Sequence, residues 1–333
     1  MRRVDPGIVK IEMKIEMKIE TLSFQAMGTS GHIQVSGPAA RQLTRMAVGR
    51  IRLLEQRWSR FIPTSDVSRL NLSHGRPVPV HPSTVDLLQV AMAAWRATDG
   101  LFSPFLHAAM VDIGYGRSWT AAPIMSPGNR SPHRRYRVLA LLPITVSPVT
   151  IDHRAGTVTL ETGIGLDFGG IAKGFSADLV LRELIDSGAD GALVDIGGDM
   201  SFRSSEHDGH QLAAPWRIAV DDPYEPGSEI DAVTAIAGGV ATSSTLRRRM
   251  TAANGEVTHH LVDPRTGWSS KTDVASATVV ADSCSNAEVL AKQFVLLGAE
   301  RAVAAAAGLG IDALIVGTDR HRHRVGLWEQ VGV

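Results

Sequence analysis

A carboxylate, a glycine pair and a lysine stand close together in Gly165-Leu166-Asp167-Phe168-Gly169-Gly170-Ile171-Ala172-Lys173-Gly174-Phe175-Ser176-Ala177-Asp178. Small residues let backbone N–H groups reach a bound anion. A helix opening after them carries partial positive charge at its N-terminus, and Lys173 adds a full one, so the natural guest is a phosphate or pyrophosphate. The spacing is neither a Walker A loop nor a Rossmann fingerprint. The same residues also read as a tight strand-to-helix turn with a solvated lysine.

Three more clusters carry suitable chemistry. In Ala192-Leu193-Val194-Asp195-Ile196-Gly197-Gly198-Asp199-Met200 a buried strand runs into two glycines between carboxylates, where backbone can approach a ligand closely. Gly238-Gly239-Val240-Ala241-Thr242-Ser243-Ser244-Thr245 sets hydroxyls before Arg247, Arg248 and Arg249. Hydroxyls and guanidinium forks suit phosphate oxygens, although a Ser/Thr cap opening a basic surface helix gives the same pattern. His259-His260-Leu261-Val262-Asp263-Pro264-Arg265-Thr266-Gly267 ends a strand in an Asp-Pro turn closed by glycine.

The frame that must position these clusters is a chain of 333 residues, 44% hydrophobic and 20% charged, enough for a large core in one big domain or two intimate ones. Lys plus Arg equal Asp plus Glu at 34 each, so no overall field recruits nucleic acid or an anionic membrane, and any anion site must be local. The single cysteine, Cys284, excludes an internal disulfide and a multi-thiolate metal site; it reads as a small buried apolar residue. Residues 1–20, with their Lys-Ile-Glu-Met repeat, read as a charged extension, a short helix or strand continuation. They build no apolar signal run and no lipobox, so the expected location is cytoplasmic. No stretch reaches membrane-span length, so the protein is not itself membrane-embedded.

Periodicity predicts a strand over Thr21–Val35 broken at Gly28, a helix over Arg41–Trp58, a polar loop from Ser59 to His74, and a helix over Val85–Asp99 stopped by Gly100. Residues 117–148 read as an irregular Pro-, Ser- and Arg-rich insertion whose basic groups could steer an acidic partner. Thr150–Leu160 reads as a hairpin, and helices follow over Lys173–Ser187, Ser285–Leu297 and Ala299–Gly308. Asp319–Arg324 reads as a solvated turn between two C-terminal strands. The fold class is α+β, with mixed, largely antiparallel sheets and flanking helices, over residues 21–333 as one domain.

The four clusters, in this order, resemble the ApbE family of FAD:protein FMN transferases over Thr21 to Gly298. Ala26-Met27-Gly28-Thr29 is similar to the family's opening motif, with Met27 against the flavin. Trp58-Ser59-Arg60-Phe61 opens a second block in which Phe61 takes a stacking position. Gly100-Leu101-Phe102-Ser103 is similar to a Gly-x-Phe-Asp segment with Ser103 for the acid, and Ile113-Gly114-Tyr115-Gly116 to a Trp-Gly-aromatic turn.

The resemblance implies that Asp167 and Lys173 contact FAD and that Met27, Phe61, Leu101, Phe102 and Ser103 line the cofactor pocket. It adds Thr242, Ser243, His260, Val262 and Asp263 to that lining. Asp167, Lys173, His260 and Glu288 are the implied catalytic residues. It also implies a magnesium ion held by the Gly170 carbonyl and Glu288, bridging the pyrophosphate and stabilising the leaving AMP while a Ser or Thr hydroxyl of a partner flavoprotein attacks the FMN phosphorus.

One departure falls on the metal. Where the family motif reads Asp-Ala-x-x-Thr, this chain has Glu288 and Lys292. Spacing alone makes them a surface salt bridge of ~0.5 kcal/mol or less; alternatively the Lys292 ammonium takes the cation's place, or Glu288 still binds magnesium while Lys292 points away. FAD storage or delivery without cleavage, and FAD pyrophosphatase activity releasing FMN and AMP, are the competing functions.

Overall fold

Met27 and Gly28 both adopt left-handed backbone, with φ of 53° and 70°. Two such residues form the tight turn whose twist matches a hairpin. The expected broken strand is therefore two paired strands, β1 (Ile19–Ala26) and β2 (Thr29–Ser36). β1 begins inside the expected N-terminal extension, at Ile19. The computed structural model describes residues 19–116, 144, 147–205, 215–225, 227–251 and 257–331, so most of the extension and of the 117–148 insertion lies outside the described residues.

Six further strands complete the main sheet: β3 (Gly191–Ile196), β4 (Asp199–Arg203), β5 (Ala237–Ser244), β6 (Val274–Ala281), β7 (Asp312–Gly317) and β8 (Arg322–Val325). They lie side by side in chain order, and every neighbouring pair is antiparallel. The expected α+β class with a largely antiparallel sheet holds.

Helices cover one face. α1 (Ala40–Trp58) packs on β1 and β2, and α2 (Asp66–Asn71), α3 (Pro82–Ala97) and α4 (His107–Asp112) follow it in the chain. α5 (Ala172–Asp186) lies on β3 and β4, α6 (Cys284–Leu297) on β5 and β6, and α7 (Ala299–Leu309) on β7 and β8. In α1, Leu43, Ala47, Ile51, Leu54 and Trp58 recur at helical spacing and are all buried. Each large apolar side chain so buried contributes ~1.5–3 kcal/mol. On the opposite face Phe202, Val240, Leu314 and Trp328 pack under a hairpin of Trp216–Asp221 and Glu229–Ala235.

Three local expectations change. The polar loop after α1 contains α2, because the Ser65 hydroxyl accepts from the Ser68 amide and caps a short helix. No strand runs into Gly169: residues 164–168 carry no regular secondary structure and are tied down by a side chain, with Asn71 accepting from the Leu166 amide at 2.7 Å and donating to its carbonyl at 2.9 Å. No basic helix opens at the hydroxyl cluster either, because β5 runs through Ser244 and the chain then bends.

Candidate functional site

The site is built around the first turns of α6. Asp178 of α5 accepts from the amides of Cys284 (2.8 Å) and Ser285 (2.9 Å) and from the Ser285 hydroxyl (2.7 Å), so one helix caps the other. Two glycines make the approach possible. A Cβ on Gly174 would sit 2.7 Å from the Cys284 carbonyl oxygen, and one on Gly239 of β5 would fall on the Cys284 backbone from the other side. The start of α6 is thus clamped between α5 and the sheet.

One turn on, this clamp holds Glu288 beneath the N-terminus of α5, only 1% exposed. Its Oε1 takes Lys173 at 2.8 Å and Lys292 at 3.1 Å, and its Oε2 accepts the Gly174 amide at 2.8 Å. Lys173 also pairs with Asp199, which the Gly197-Gly198 turn delivers between β3 and β4. Burial alone would push the Glu288 carboxyl up; the charges of Lys173 and Lys292, with the hydrogen bonds from Lys173 and Gly174, outweigh it and hold the group below its ordinary range. Burial lowers the Lys173 ammonium, and Glu288 partly restores it. The surface salt bridge read from spacing is therefore part of a buried four-charge cluster of Glu288, Asp199, Lys173 and Lys292.

Above the cluster opens a cavity of about 390 Å³. Met27, Phe61, Leu101, Phe102 and Ser103 line it, as do Asp167, Gly170, Lys173, His260 and Val262. Thr242, Ser243 and Asp263 do not. Thr242 and Ser243 are consecutive in a strand and point to opposite faces; Thr242 pairs with Thr278 at 2.9 Å and Ser243 is buried outside the lining. Asp263 is held by its own turn partner Arg265 at 2.7 Å. Glu288 also lies outside the lining, underneath the lysines.

The sequence reading missed Glu55 and Arg60, and named Arg248 only as one of three arginines suited to phosphate. Glu55 accepts the Met27 amide at 2.7 Å and fixes the β1–β2 turn at the cavity rim. Arg60 lies over the Phe61 ring at 4.2 Å, pairs with Asp167 at 2.8 Å and donates to the Tyr115 carbonyl. The Tyr115 hydroxyl, raised to about 12 chiefly by burial, donates to the carbonyl of Arg248, and the Arg248 side chain lines the cavity. Both arginines stand in the quoted motif blocks, but no spacing marks them apart from surface arginines.

His260 lines the cavity with its Nδ1 shielded and unpartnered. Burial first, then the charges of Arg248, Lys292, His259 and Lys173, lower it well below the ordinary 6.5. The unfolded chain protonates this histidine below about pH 6.5 and the folded chain does not, so its contribution is intact above that value and stability falls as pH drops through it. His107 and His259, also lowered by burial, add the same sign. We expect urea unfolding to give lower stability at about pH 5.5 than at about pH 7.5, and His260→Gln to flatten the difference. An unchanged slope in the variant would exclude His260 as a source.

The residues do not fit the implied magnesium ion. Both Glu288 oxygens are engaged by cations or an amide, and among the described residues no three His, Cys, Asp or Glu side chains gather around a metal position. The Lys292 stem fills the space beside Gly170, where a Cβ would stand 3.3 Å from its Cε. At an effective dielectric near 20, a dication ~4 Å from an ammonium is repelled by about 8 kcal/mol.

The ApbE family model matches residues 27–315. A Treponema pallidum protein named FAD:protein FMN transferase is 29% identical over 280 residues, covering 81% of this chain and 75% of its own. A Haemophilus influenzae protein of the same name is 25% identical over 91% of this chain and 90% of its own. The crystal structure of the ApbE protein from Thermotoga maritima superposes with a TM-score of 0.80 at 25% identity, over 94% of this chain and 99% of that one. The apo flavinyl transferase ApbE of Pseudomonas stutzeri, 24% identical, shares the fold with a TM-score of 0.77, over 95% of this chain and 98% of that one.

Proposed function

Because the chain belongs to the ApbE family, we propose that it is an FAD:protein FMN transferase acting on a hydroxyl side chain of a partner flavoprotein. The observation that carries this reading is the cavity itself. Apolar walls from Met27, Phe61, Phe102 and Val262 suit a flavin ring, while Lys173, Lys292 and Arg248 suit the pyrophosphate.

In the reaction, a Ser or Thr oxygen of the acceptor bonds to the FMN phosphorus and the bridging P–O bond to AMP breaks. Lys173 and Arg248 balance charge on the phosphate oxygens as AMP leaves. His260, uncharged at neutral pH, is the group available to take the hydroxyl proton. Asp167 acts through Arg60, which it holds over Phe61. Magnesium enters no step, since two ammonium groups stand on Glu288 Oε1 and the Lys292 stem fills the space beside Gly170. The buried Cys284 suits a reducing compartment, and we assign the activity to the cytoplasm.

Mass spectrometry of a Ser/Thr-containing acceptor incubated with FAD tests the reading: covalent FMN and released AMP are expected, and His260→Gln should slow transfer by ~10²–10⁴-fold while FAD still binds. AMP without flavinylated acceptor would make the chain a pyrophosphatase. Binding with no AMP would make it an FAD holder, the second reading, which the saturated Glu288 favours.

A further inference from the structure

We propose that Lys292 is a tethered replacement for a divalent cation, so that this site binds the FAD pyrophosphate without any metal ion. The inference rests on reading the cavity as an FAD site.

Three independent observations converge on it. Lys292 holds Glu288 Oε1 at 3.1 Å while lining the cavity, so its ammonium stands between the buried carboxylate and the space above. Its stem lies against Gly170, so the lysine occupies the gap between Gly170 and Glu288 rather than projecting away from it. Its charge is also the less committed of the two lysines. Lys173 is shared between Glu288 and Asp199, whereas among the described residues the carboxylate contact of Lys292 is with Glu288 alone. Glu288 therefore anchors the lysine through Oε1 and, at 3.4 Å, through its own carbonyl, and leaves a third donor hydrogen of the ammonium for a ligand oxygen.

A lysine differs from a metal ion in ways that set the outcome. It is a point charge with three donors and no open coordination position, so it neutralises pyrophosphate but cannot clamp the attacking and leaving oxygens together. Chelators have nothing to remove. Added magnesium meets an ammonium already in place.

The test is FAD binding to the full chain, followed by flavin fluorescence and calorimetry, in EDTA and in millimolar Mg²⁺. Equal affinity in the two buffers is expected. Lys292→Met, which keeps the stem and removes the charge, should weaken FAD ~10-fold or more and leave riboflavin, which has no phosphate, unchanged. The Glu288→Asp/Lys292→Thr double variant, which opens the gap and restores short oxygen donors, should bind FAD more tightly in Mg²⁺ than in EDTA. Loss of wild-type FAD affinity in EDTA would overturn the proposal without reference to any variant, and so would unchanged FAD affinity in Lys292→Met. Metal-independent FAD binding without flavin transfer would instead sink the transferase reading and leave this one standing, whereas flavin transfer together with loss of FAD affinity in EDTA would do the reverse.

Discussion

Glu288→Gln is expected to destabilise the folded chain by about 3–5 kcal/mol, because it removes the charge that compensates two ammonium groups packed against one buried carboxylate. Glutamine matches the volume, so the loss reports electrostatics rather than a cavity. Lys173 keeps Asp199, but Lys292 has no second carboxylate among the described residues. The variant Glu288→Gln/Lys292→Met should therefore recover much of the loss, and a double-mutant cycle from urea unfolding gives the coupling directly. A single variant within about 0.5 kcal/mol of wild type would mean that the cluster is solvated and that its burial does not govern stability.

The second large effect is steric. A Cβ on Gly239 would fall on the backbone of Cys284, which cannot rotate away as a side-chain tip can. Gly239→Ala must displace the start of α6, costing about 3 kcal/mol or more, and shift Glu288 and Lys292 with it. Both thermal stability and FAD affinity should fall together. Gly49→Ala is the contrasting case: the position is exposed within α1 with nothing within 4 Å of the added carbon, so it should stabilise by roughly 0.5–1 kcal/mol. Were Gly239→Ala as stable as Gly49→Ala, the clamp on α6 would not be as close as described.

The long helices were legible because their buried residues repeat with the helical period, and α1, α3, α5, α6 and α7 lie within a few residues of their expected bounds. α2 was not: its six residues are too few to show a period, and its N-terminus is fixed by Ser65 and by the buried Asp66, which accepts from the Thr84 hydroxyl at 2.6 Å and the His81 amide at 3.0 Å. Those partners lie in another helix start and cannot be inferred locally.

In the site, glycine clusters and lysines announced an anion, and the cavity gathers most of the residues named for it. The burial of Glu288 was hidden because a Glu–Lys pair four residues apart looks identical on a solvated helix and on one clamped under α5. The difference is made by Gly174, Gly239 and Asp199, which the sequence places far from Glu288. Thr242 and Ser243 are neighbours in β5, so strand parity lets one of them at most face the cavity side of the sheet.

The order of the main sheet bears on how the molecule forms. β2 pairs with β3 residue for residue, Gly31 with Ile196 and Ser36 with Gly191, so a long intervening segment must be closed into a loop before that ladder exists. The cavity wall needs Met27 from before that loop and Lys173, Arg248 and Lys292 from within or beyond it. The pocket therefore exists only where distant parts of the chain have come together. A ligand captured there, by binding the assembled chain and not the unfolded one, adds its binding free energy to the stability of the finished protein.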